Sequence, residues 1–220
     1  MTPPLRLLFI GPPGAGKGTQ ARRVAEGLGV PHIASGDLLR EAIRAGTPLG
    51  LKAKEYMDRG ELVPDDLMIG FISDRIEQRD ARAGFVLDGF PRTLQQARAL
   101  DAALAEGGIA LDGVLHLEVP DELIVERLAG RRTCPTCQRA YHMLYDAPKT
   151  DERCDDDGAA LTARPDDAPD TIRRRLEVYN EATSGLLSYY EDGERLVTVD
   201  GVGYVEDVAE RIDKAIEALS

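Results

Sequence analysis

The chain has 220 residues, 43% of them hydrophobic, and a formal net charge of −12 at pH 7, a composition typical of globular proteins. The acidic surface disfavours nucleic acid and anionic membranes as partners. No segment contains the roughly 20 apolar residues of a membrane-spanning helix, and residues 1–10 are too short for a secretory signal, so we expect a cytoplasmic protein.

Apolar runs typical of buried strands alternate with helical patterns along the chain. Strands are predicted at residues 5–10, 84–88, 114–119 and 196–199. Helices are predicted at residues 17–28, 94–105, 122–128 and 205–219. Such alternation predicts an α/β fold in which helices cover both faces of a parallel sheet.

Two segments interrupt this alternation. Residues 34–63, here called the first insertion, carry only helical patterns. Residues 130–167, the second insertion, are polar, rich in Asp, Pro and Cys, and too long for a simple connection. We expect both insertions to lie over one edge of the sheet, and residues 1–33, 64–129 and 168–220 to form the core.

A glycine-rich loop joins the first predicted strand to the first predicted helix. It reads Gly11-Pro-Pro-Gly-Ala-Gly-Lys17-Gly18-Thr19. Glycines let backbone N–H groups converge on phosphate oxygens, the helix N-terminus adds partial positive charge, and the lysine reaches the outer phosphates. The usual motif has Ser or Thr directly after the lysine, whereas here Gly18 intervenes and the hydroxyl comes at Thr19. The loop predicts a nucleotide site.

A second motif, Asp88-Gly89-Phe90-Pro91-Arg92-Thr93, follows the second predicted strand. Together with the glycine-rich loop and Ser35-Gly36-Asp37-Leu38-Leu39-Arg40, it closely resembles the adenylate kinases. The resemblance runs through nearly the whole chain, including Gly130-Arg131-Arg132 and Arg164-Pro165-Asp166-Asp167. It implies a P-loop NTPase core with a five-stranded parallel sheet, a helical AMP-binding first insertion and a mobile lid as the second insertion.

The implied activity is reversible, magnesium-dependent transfer of a phosphoryl group from ATP to AMP, giving two ADP. By resemblance, ATP is expected at Gly14, Ala15, Gly16, Lys17, Gly18, Thr19, Arg127, Arg131, Ala140, Tyr141 and Gly203. AMP is expected at Ser35, Arg40, Glu61, Leu62, Val63, Gly89, Arg92, Gln96, Arg164 and Arg175. The catalytic residues implied are Lys17, Asp88, Arg92, Arg127, Arg164 and Arg175, with Asp88 orienting magnesium through water.

Spacing adds one expectation for the arginines. Arg127 and Arg131 are four residues apart across the end of a predicted helix, so both can point at one phosphate cluster.

The three cysteines of the chain all lie in the second insertion. Cys134-x-x-Cys137 is followed by Cys154-x-x-Asp157. An odd, clustered set favours a metal over disulfides, and thiolates with one carboxylate suit zinc. The spacing also resembles the zinc-containing lids of part of the adenylate kinase family. Asp155 and Asp156 are alternatives for the fourth ligand, and His142 is a further possible donor.

Three other functions fit parts of the pattern. A sister enzyme would use GTP as donor or UMP/CMP as acceptor, although the long second insertion disfavours the UMP/CMP type. A nucleotide-dependent switch would leave Arg92, Gln96 and the first insertion unexplained. A zinc-stabilised nucleic-acid binder is disfavoured by the net charge of −12. The family resemblance further implies a monomer.

Overall fold

A computed structural model describes residues 5–219, with the side chain of Ser184 excepted. Over that range the strands are β1 (Arg6–Ile10), β2 (His32–Ala34), β3 (Phe85–Asp88), β4 (Gly113–Glu118), β5 (Arg131–Thr133), β6 (Ala140–His142) and β7 (Leu196–Asp200). The α-helices are α1 (Lys17–Leu28), α2 (Ser35–Arg44), α3 (Pro48–Asp58), α4 (Asp65–Ile76), α5 (Leu94–Glu106), α6 (Asp121–Ala129), α7 (Pro169–Asp192) and α8 (Val205–Leu219). A 3₁₀ turn covers Pro165–Asp167.

The main sheet contains five of the described strands in the order β2-β3-β1-β4-β7, and every neighbouring pair is parallel. The predicted α/β class with a five-stranded parallel sheet is therefore confirmed. The carboxyl ends of parallel strands meet at one edge of a sheet, which is where such folds bind ligands. Here that edge brings together the loops that follow β1, β2, β3 and β7.

The hydrophobic core lies on both faces of this sheet. Successive residues of a strand point to opposite faces, and Leu7 and Phe9 of β1 pack in one buried cluster while Leu8 and Ile10 pack in the other. The first cluster includes apolar residues of α1, α6 and α8, and the second includes residues of α4 and α5. Helix α7 contributes to both clusters, so it joins the two layers.

Strand β2 is the element of the sheet that sequence analysis did not predict. It has three residues and lies at the edge, paired with β3 alone among the described strands. A strand this short shows no alternation that a sequence pattern can detect. Its last residue, Ala34, is also the first residue of the predicted first insertion, so that insertion begins inside the sheet.

The first insertion contains two helices, α2 and α3, which cross at very short range. An added Cβ at Gly50 of α3 would lie 2.2 Å from the carbonyl carbon and oxygen of Ala42 in α2. Thr47 caps α3, since its side chain accepts a hydrogen bond from the Gly50 N–H. Glycine at position 50 is thus required by the close approach of the two backbones.

The second insertion contains the antiparallel pair β5–β6, in which Thr133 lies opposite Ala140. Its buried cluster is small and consists of Cys134, Tyr141, Cys154 and Leu161. None of the helices within residues 5–219 combines the length and apolar character that crossing a bilayer requires.

The two insertions contact each other across the cleft. The guanidinium of Arg44 in α2 donates a hydrogen bond to the carbonyl of Pro135. A second contact joins Arg164 to Asp37, with 3.9 Å between the Arg164 Nη2 and Asp37 Oδ1 atoms. The two insertions are therefore in direct contact with each other.

Candidate active site

The glycine-rich loop joins β1 to α1 and wraps the N-terminus of the helix. Gly14 and Gly16 have φ values of 84° and 92°, in the left-handed region that glycine adopts without strain. Among the described residues, no side chain caps the N-terminus of α1. The first N–H groups of the helix are thus available to an anion.

Lys17 bends back over this loop. Its Nζ donates hydrogen bonds to the carbonyls of Gly11 at 2.7 Å and Pro12 at 2.8 Å. Burial lowers the pKa of Lys17 to about 8, an effect that Asp88 opposes and Arg92 and Arg175 reinforce. A phosphate placed against the loop would favour the charged ammonium and reverse this shift.

The departure of the loop at Gly18 has a structural reason. A Cβ added at Gly18 would lie 3.2 Å from the Oδ2 atom of Asp88. A side chain directly after Lys17 would therefore crowd this carboxylate. Thr19, one residue later, lines the cavity described below.

Asp88 ends β3 and lies next to the phosphate loop, because β3 pairs with β1. Its Oδ2 is 3.7 Å from the Nε2 of His32 on the neighbouring strand β2. Burial raises the pKa of Asp88, but His32, Lys17 and Arg92 outweigh it, so the pKa lies below its usual value. The side chain is thus a carboxylate at neutral pH, the form that can hold the waters of a divalent cation.

Arginines from four elements converge above the loop. Arg175 of α7 donates to the carboxylate of Asp166 at 2.8 Å, and the Arg164 Nε donates to the hydroxyl of Thr133 at 2.9 Å. Burial lowers the pKa of Arg164, and its neighbours Arg40 and Arg131 lower it further. The cations thus repel one another, and bound phosphates would relieve that repulsion.

Arg127 and Arg131 point to different partners in this structure. The Arg127 Nη2 donates to the Gly201 carbonyl at 3.0 Å, beside Gly203 in the loop after β7. Arg131 makes a two-point ion pair with Asp167, at 2.8 and 2.5 Å. Both side chains nonetheless line one cavity.

That cavity has a volume of about 560 Å³ and lies between the phosphate loop and the second insertion. Every residue predicted to bind ATP lines it, namely Gly14, Ala15, Gly16, Lys17, Gly18, Thr19, Arg127, Arg131, Ala140, Tyr141 and Gly203. Asp88, Arg92, Arg164 and Arg175 line it as well. The structure thus brings the predicted donor residues and the predicted catalytic residues to one cleft.

A second cavity of about 70 Å³ adjoins the first, between α2, α3 and the Asp88 motif. Nine of the residues predicted to bind AMP line it, namely Ser35, Arg40, Glu61, Leu62, Val63, Gly89, Arg92, Gln96 and Arg175. Arg164, the tenth, lines the larger cavity instead. Arg40, Arg92 and Arg175 line both cavities, so cations stand where the two meet.

The predicted metal ligands also lie together. Four possible ligand atoms lie within 4.8 Å of one another, one from each of Cys134, Cys137, Cys154 and Asp157. The Cys137 and Cys154 sulfurs are 3.5 Å apart, close to the edge of about 3.8 Å that a tetrahedron of zinc–sulfur bonds requires. The donor set and its spacing therefore fit a tetrahedral zinc ion.

The other donors considered for this metal have other hydrogen-bond partners, although the Asp156 Oδ2 also lies 3.8 Å from the Cys137 sulfur. Asp156 pairs with Arg139 at 2.6 Å, and Asp155 accepts a hydrogen bond from the Lys149 N–H at 2.8 Å. The His142 Nδ1 accepts hydrogen bonds from the Leu144 and Tyr145 backbones at 3.2 and 3.3 Å. The geometry favours Asp157 as the fourth ligand.

Several residues of the site lie outside the predicted set. His32 beside Asp88, and Asp65 beside Gln96, lie in no recognised motif, and only the tertiary fold brings them to the cleft. Three acids of the site do occur in sequence motifs, but only the structure shows their ion pairs. Asp37 pairs with Arg40 and Arg164. Asp166 pairs with Arg175, and Asp167 pairs with Arg131.

Comparison with known proteins gives one consistent result. The adenylate kinase family model matches residues 9–195. The adenylate kinase of Archaeoglobus fulgidus is 49% identical over 215 residues, covering 98% of this chain and 99% of that protein. Those of Kosmotoga olearia and Salinispora tropica are 47% and 50% identical, each covering 98% of this chain and 100% of the relative. This chain therefore belongs to the adenylate kinase family.

Proposed function

We propose that this chain catalyses reversible, magnesium-dependent transfer of the terminal phosphoryl group of ATP to AMP, giving two ADP, and so balances adenine nucleotides. The observation that carries this proposal is the pair of adjoining cavities that share Arg40, Arg92 and Arg175. A transfer between two nucleotides requires their phosphates to lie side by side, and cations at the junction offset the repulsion between them.

ATP occupies the larger cavity in this proposal. The loop from Gly14 to Thr19 holds its phosphates, with Lys17 on the transferring group, and the base lies near Arg127 and Gly203. Magnesium bound with ATP supplies further neutralisation of phosphate charge. Asp88 would hold the waters of that ion, because it is an ionised carboxylate at the end of β3 beside the loop.

AMP binds at the smaller cavity and, because the volume of that cavity is only about 70 Å³, extends into its junction with the larger one. Arg40, Arg92 and Arg175 hold the AMP phosphate, and Gln96 with the backbone of residues 61–63 contacts the base. An AMP phosphate oxygen is already a nucleophile, so the reaction needs no general base. Positioning and electrostatic stabilisation by Lys17 and the arginines carry the rate enhancement.

The three predicted units act together in this mechanism. Residues 1–33, 64–129 and 168–220 form the core, the first insertion binds AMP, and the second insertion closes as a lid over ATP. Closure excludes water, which would otherwise accept the phosphoryl group. Arg164 of the second insertion then comes onto the transferring group, next to Asp37 of the first.

The oligomeric state, the location and the binding partners are proposed from the charge of the chain and from its family. We propose a monomer in the cytoplasm that binds neither nucleic acid nor membranes, in keeping with the net charge of −12. The alternative is a sister enzyme that uses GTP as donor or UMP/CMP as acceptor. An assay with different acceptors tests the acceptor choice.

A coupled assay for ADP, with MgATP and each of AMP, GMP, UMP and CMP, tests the reaction. We expect turnover with AMP to exceed that with the other acceptors. Lys17→Met is expected to abolish transfer while the fold stays intact, since Lys17 contacts the loop and the cavity. The matched control is Lys52→Met, at an exposed position of α3, which should turn over normally. Normal turnover by Lys17→Met would contradict the assignment.

We also propose that the second insertion binds one structural zinc through Cys134, Cys137, Cys154 and Asp157. With four protein ligands, no coordination position is left for substrate, and the ion stabilises a segment whose buried cluster is small.

Metal analysis tests this site. Protein produced with zinc available should contain about one zinc per chain. Asp157→Ala should lower the content clearly, whereas the control Asp156→Ala removes a carboxylate paired with Arg139 and should keep it. Equal loss in both variants would contradict Asp157 as a ligand, and wild-type protein with far less zinc would contradict the metal site itself.

A further inference from the structure

Asp65, the first residue of α4, lies beside the smaller cavity and ties α4 to α5. Its carboxylate accepts two hydrogen bonds, one on each oxygen. The Gln96 Nε2 donates at 2.7 Å to Oδ1, and the Thr93 Oγ1 donates at 2.8 Å to Oδ2. Thr93 in turn caps α5, because its hydroxyl oxygen accepts from the Gln96 N–H at 3.2 Å.

The other end of the Gln96 amide is held as well. Its Oε1 accepts a hydrogen bond from the Arg92 N–H at 2.7 Å, and the side chain is buried, with the residue 2% exposed. The reversed amide would place its oxygen against the Asp65 carboxylate and its NH₂ against the Arg92 N–H. Both contacts would be repulsive, so the amide has a single orientation.

This orientation leaves defined groups for a ligand. An amide has two N–H donors and two oxygen lone pairs, and Asp65 and Arg92 use one of each. One donor and one lone pair remain, on a residue that lines the smaller cavity. Adenine pairs a ring-nitrogen acceptor with an amino donor, which such an amide complements. Guanine presents a carbonyl acceptor where adenine has the amino group, and an N–H where adenine has the ring-nitrogen acceptor.

We infer that Asp65 is a positioning residue that fixes the Gln96 amide and thereby makes the acceptor site prefer adenine over guanine. The inference rests on the proposed function, in which AMP binds at the smaller cavity. Sites built around hydrogen bonds discriminate strongly, because the wrong ligand leaves buried polar groups unpaired.

The first test is Asp65→Ala, measured as kcat/KM for AMP and for GMP with saturating MgATP. Without the carboxylate, one of the two contacts that orient the amide is lost, and we expect the AMP-to-GMP ratio to fall about tenfold, which corresponds to about 1.4 kcal/mol. The KM for AMP should rise and the KM for MgATP should stay the same. The matched control is Asp66→Ala, an exposed acid in the same first turn of α4, which should keep the wild-type ratio.

A second variant keeps the inference testable if Asp65→Ala is poorly folded. Gln96→Glu alone places two carboxylates together and should unfold at a lower temperature than wild type. Adding Asp65→Asn restores a donor that faces the introduced carboxylate, so the double variant should recover stability. In the double variant, the carboxylate introduced at position 96 offers the cavity only hydrogen-bond acceptors, which suits the N–H donors of guanine. The acceptor preference of this variant should therefore shift from AMP towards GMP.

The outcomes separate this inference from the proposed function. An unchanged AMP-to-GMP ratio in Asp65→Ala, or a double variant that recovers stability and still prefers AMP as wild type does, overturns the role of Asp65. A merely structural role would lower the melting temperature and leave the ratio unmoved. Wild-type protein that uses GMP as well as AMP overturns the acceptor assignment itself, and the inference with it.

Discussion

Lys17 and Asp88 lie in sequence motifs and line the larger cavity, and their ionisation depends on neighbours from other elements. The pKa of Asp88 reflects His32 on β2, and Gly18 is explained by the approach of that same carboxylate. Sequence alone gives no distance between residues 18 and 88.

The depressed pKa of Lys17 leads to a prediction about pH. The free protein holds a lysine with a pKa of about 8, whereas bound phosphates favour the ammonium. Above pH 8, binding of MgATP must therefore take up a proton, and its dissociation constant should rise roughly tenfold between pH 8 and 9.5. Below about pH 7 nearly all of the lysine is already charged in the free protein, and this contribution should be flat.

Calorimetric titration in buffers of different ionisation enthalpy measures both the affinity and the proton uptake. Lys17→Arg is the matched comparison, because arginine stays charged throughout this range. A wild-type affinity as insensitive to pH as that of the Arg variant would contradict the prediction. By the same linkage, Lys17 should make the free protein more stable as the pH rises from about 8 to 10.5, the ordinary pKa of a lysine.

Periodicity predicts α1, α5, α6, α8 and the longer strands of the sheet, whereas α4, α7 and the three-residue strands are not among the predicted elements. Helix α1 begins and ends at the residues predicted, since a glycine-rich loop precedes it and Gly29 ends it at a φ of 68°. Strand β2 was missed because three residues carry no pattern. The crossing of α2 and α3 was equally invisible, because Gly50 gives no local sign that Ala42 packs against it.

Gly50 provides a prediction at this scale. Gly50→Ala should destabilise the protein by about 1–3 kcal/mol, because its Cβ would overlap the Ala42 backbone at 2.2 Å. Gly70→Ala is the control, since Gly70 is a helical glycine of α4 with nothing within 4 Å of an added Cβ. Alanine there should be neutral or stabilise by up to about 1 kcal/mol. Denaturant unfolding of both variants checks this, and equal stabilities would count against the close crossing.

The family and overall architecture of the molecule are the features that the sequence predicts best, because three motifs in order identify the family. The family model matches residues 9–195 and confirms this prediction. The core topology and the joint cleft follow from the parallel sheet, whose carboxyl edge gathers distant loops. The contact between the two insertions was not predictable. Arg44 and Pro135 are 91 residues apart, and neither lies in a recognised nucleotide motif.

The contact between Arg44 and Pro135 should stabilise the arrangement in which both insertions cover the cleft. A typical hydrogen bond contributes about 0.5–1.5 kcal/mol net, which corresponds to roughly two- to tenfold in an equilibrium constant. Arg44→Ala should therefore raise the KM for AMP and MgATP together, by roughly two- to tenfold, without lowering kcat. Arg98→Ala, at an exposed position of α5, should leave both KM values unchanged. Steady-state kinetics decide the point, and unaltered KM values in Arg44→Ala would remove Arg44 from the closing contact.

The close crossing at Gly50 also restricts how the first insertion can move. Helices α2 and α3 cannot slide past each other where no Cβ fits, so we expect any movement of the first insertion to carry both helices together. The necessary changes in backbone dihedral angles then fall at the ends of the insertion. Gly60 lies at one such end, with a φ of 71° and an added Cβ that would lie 3.1 Å from the Arg175 Cγ. A rotation about Gly60 would thus be transmitted directly to an arginine that lines both cavities.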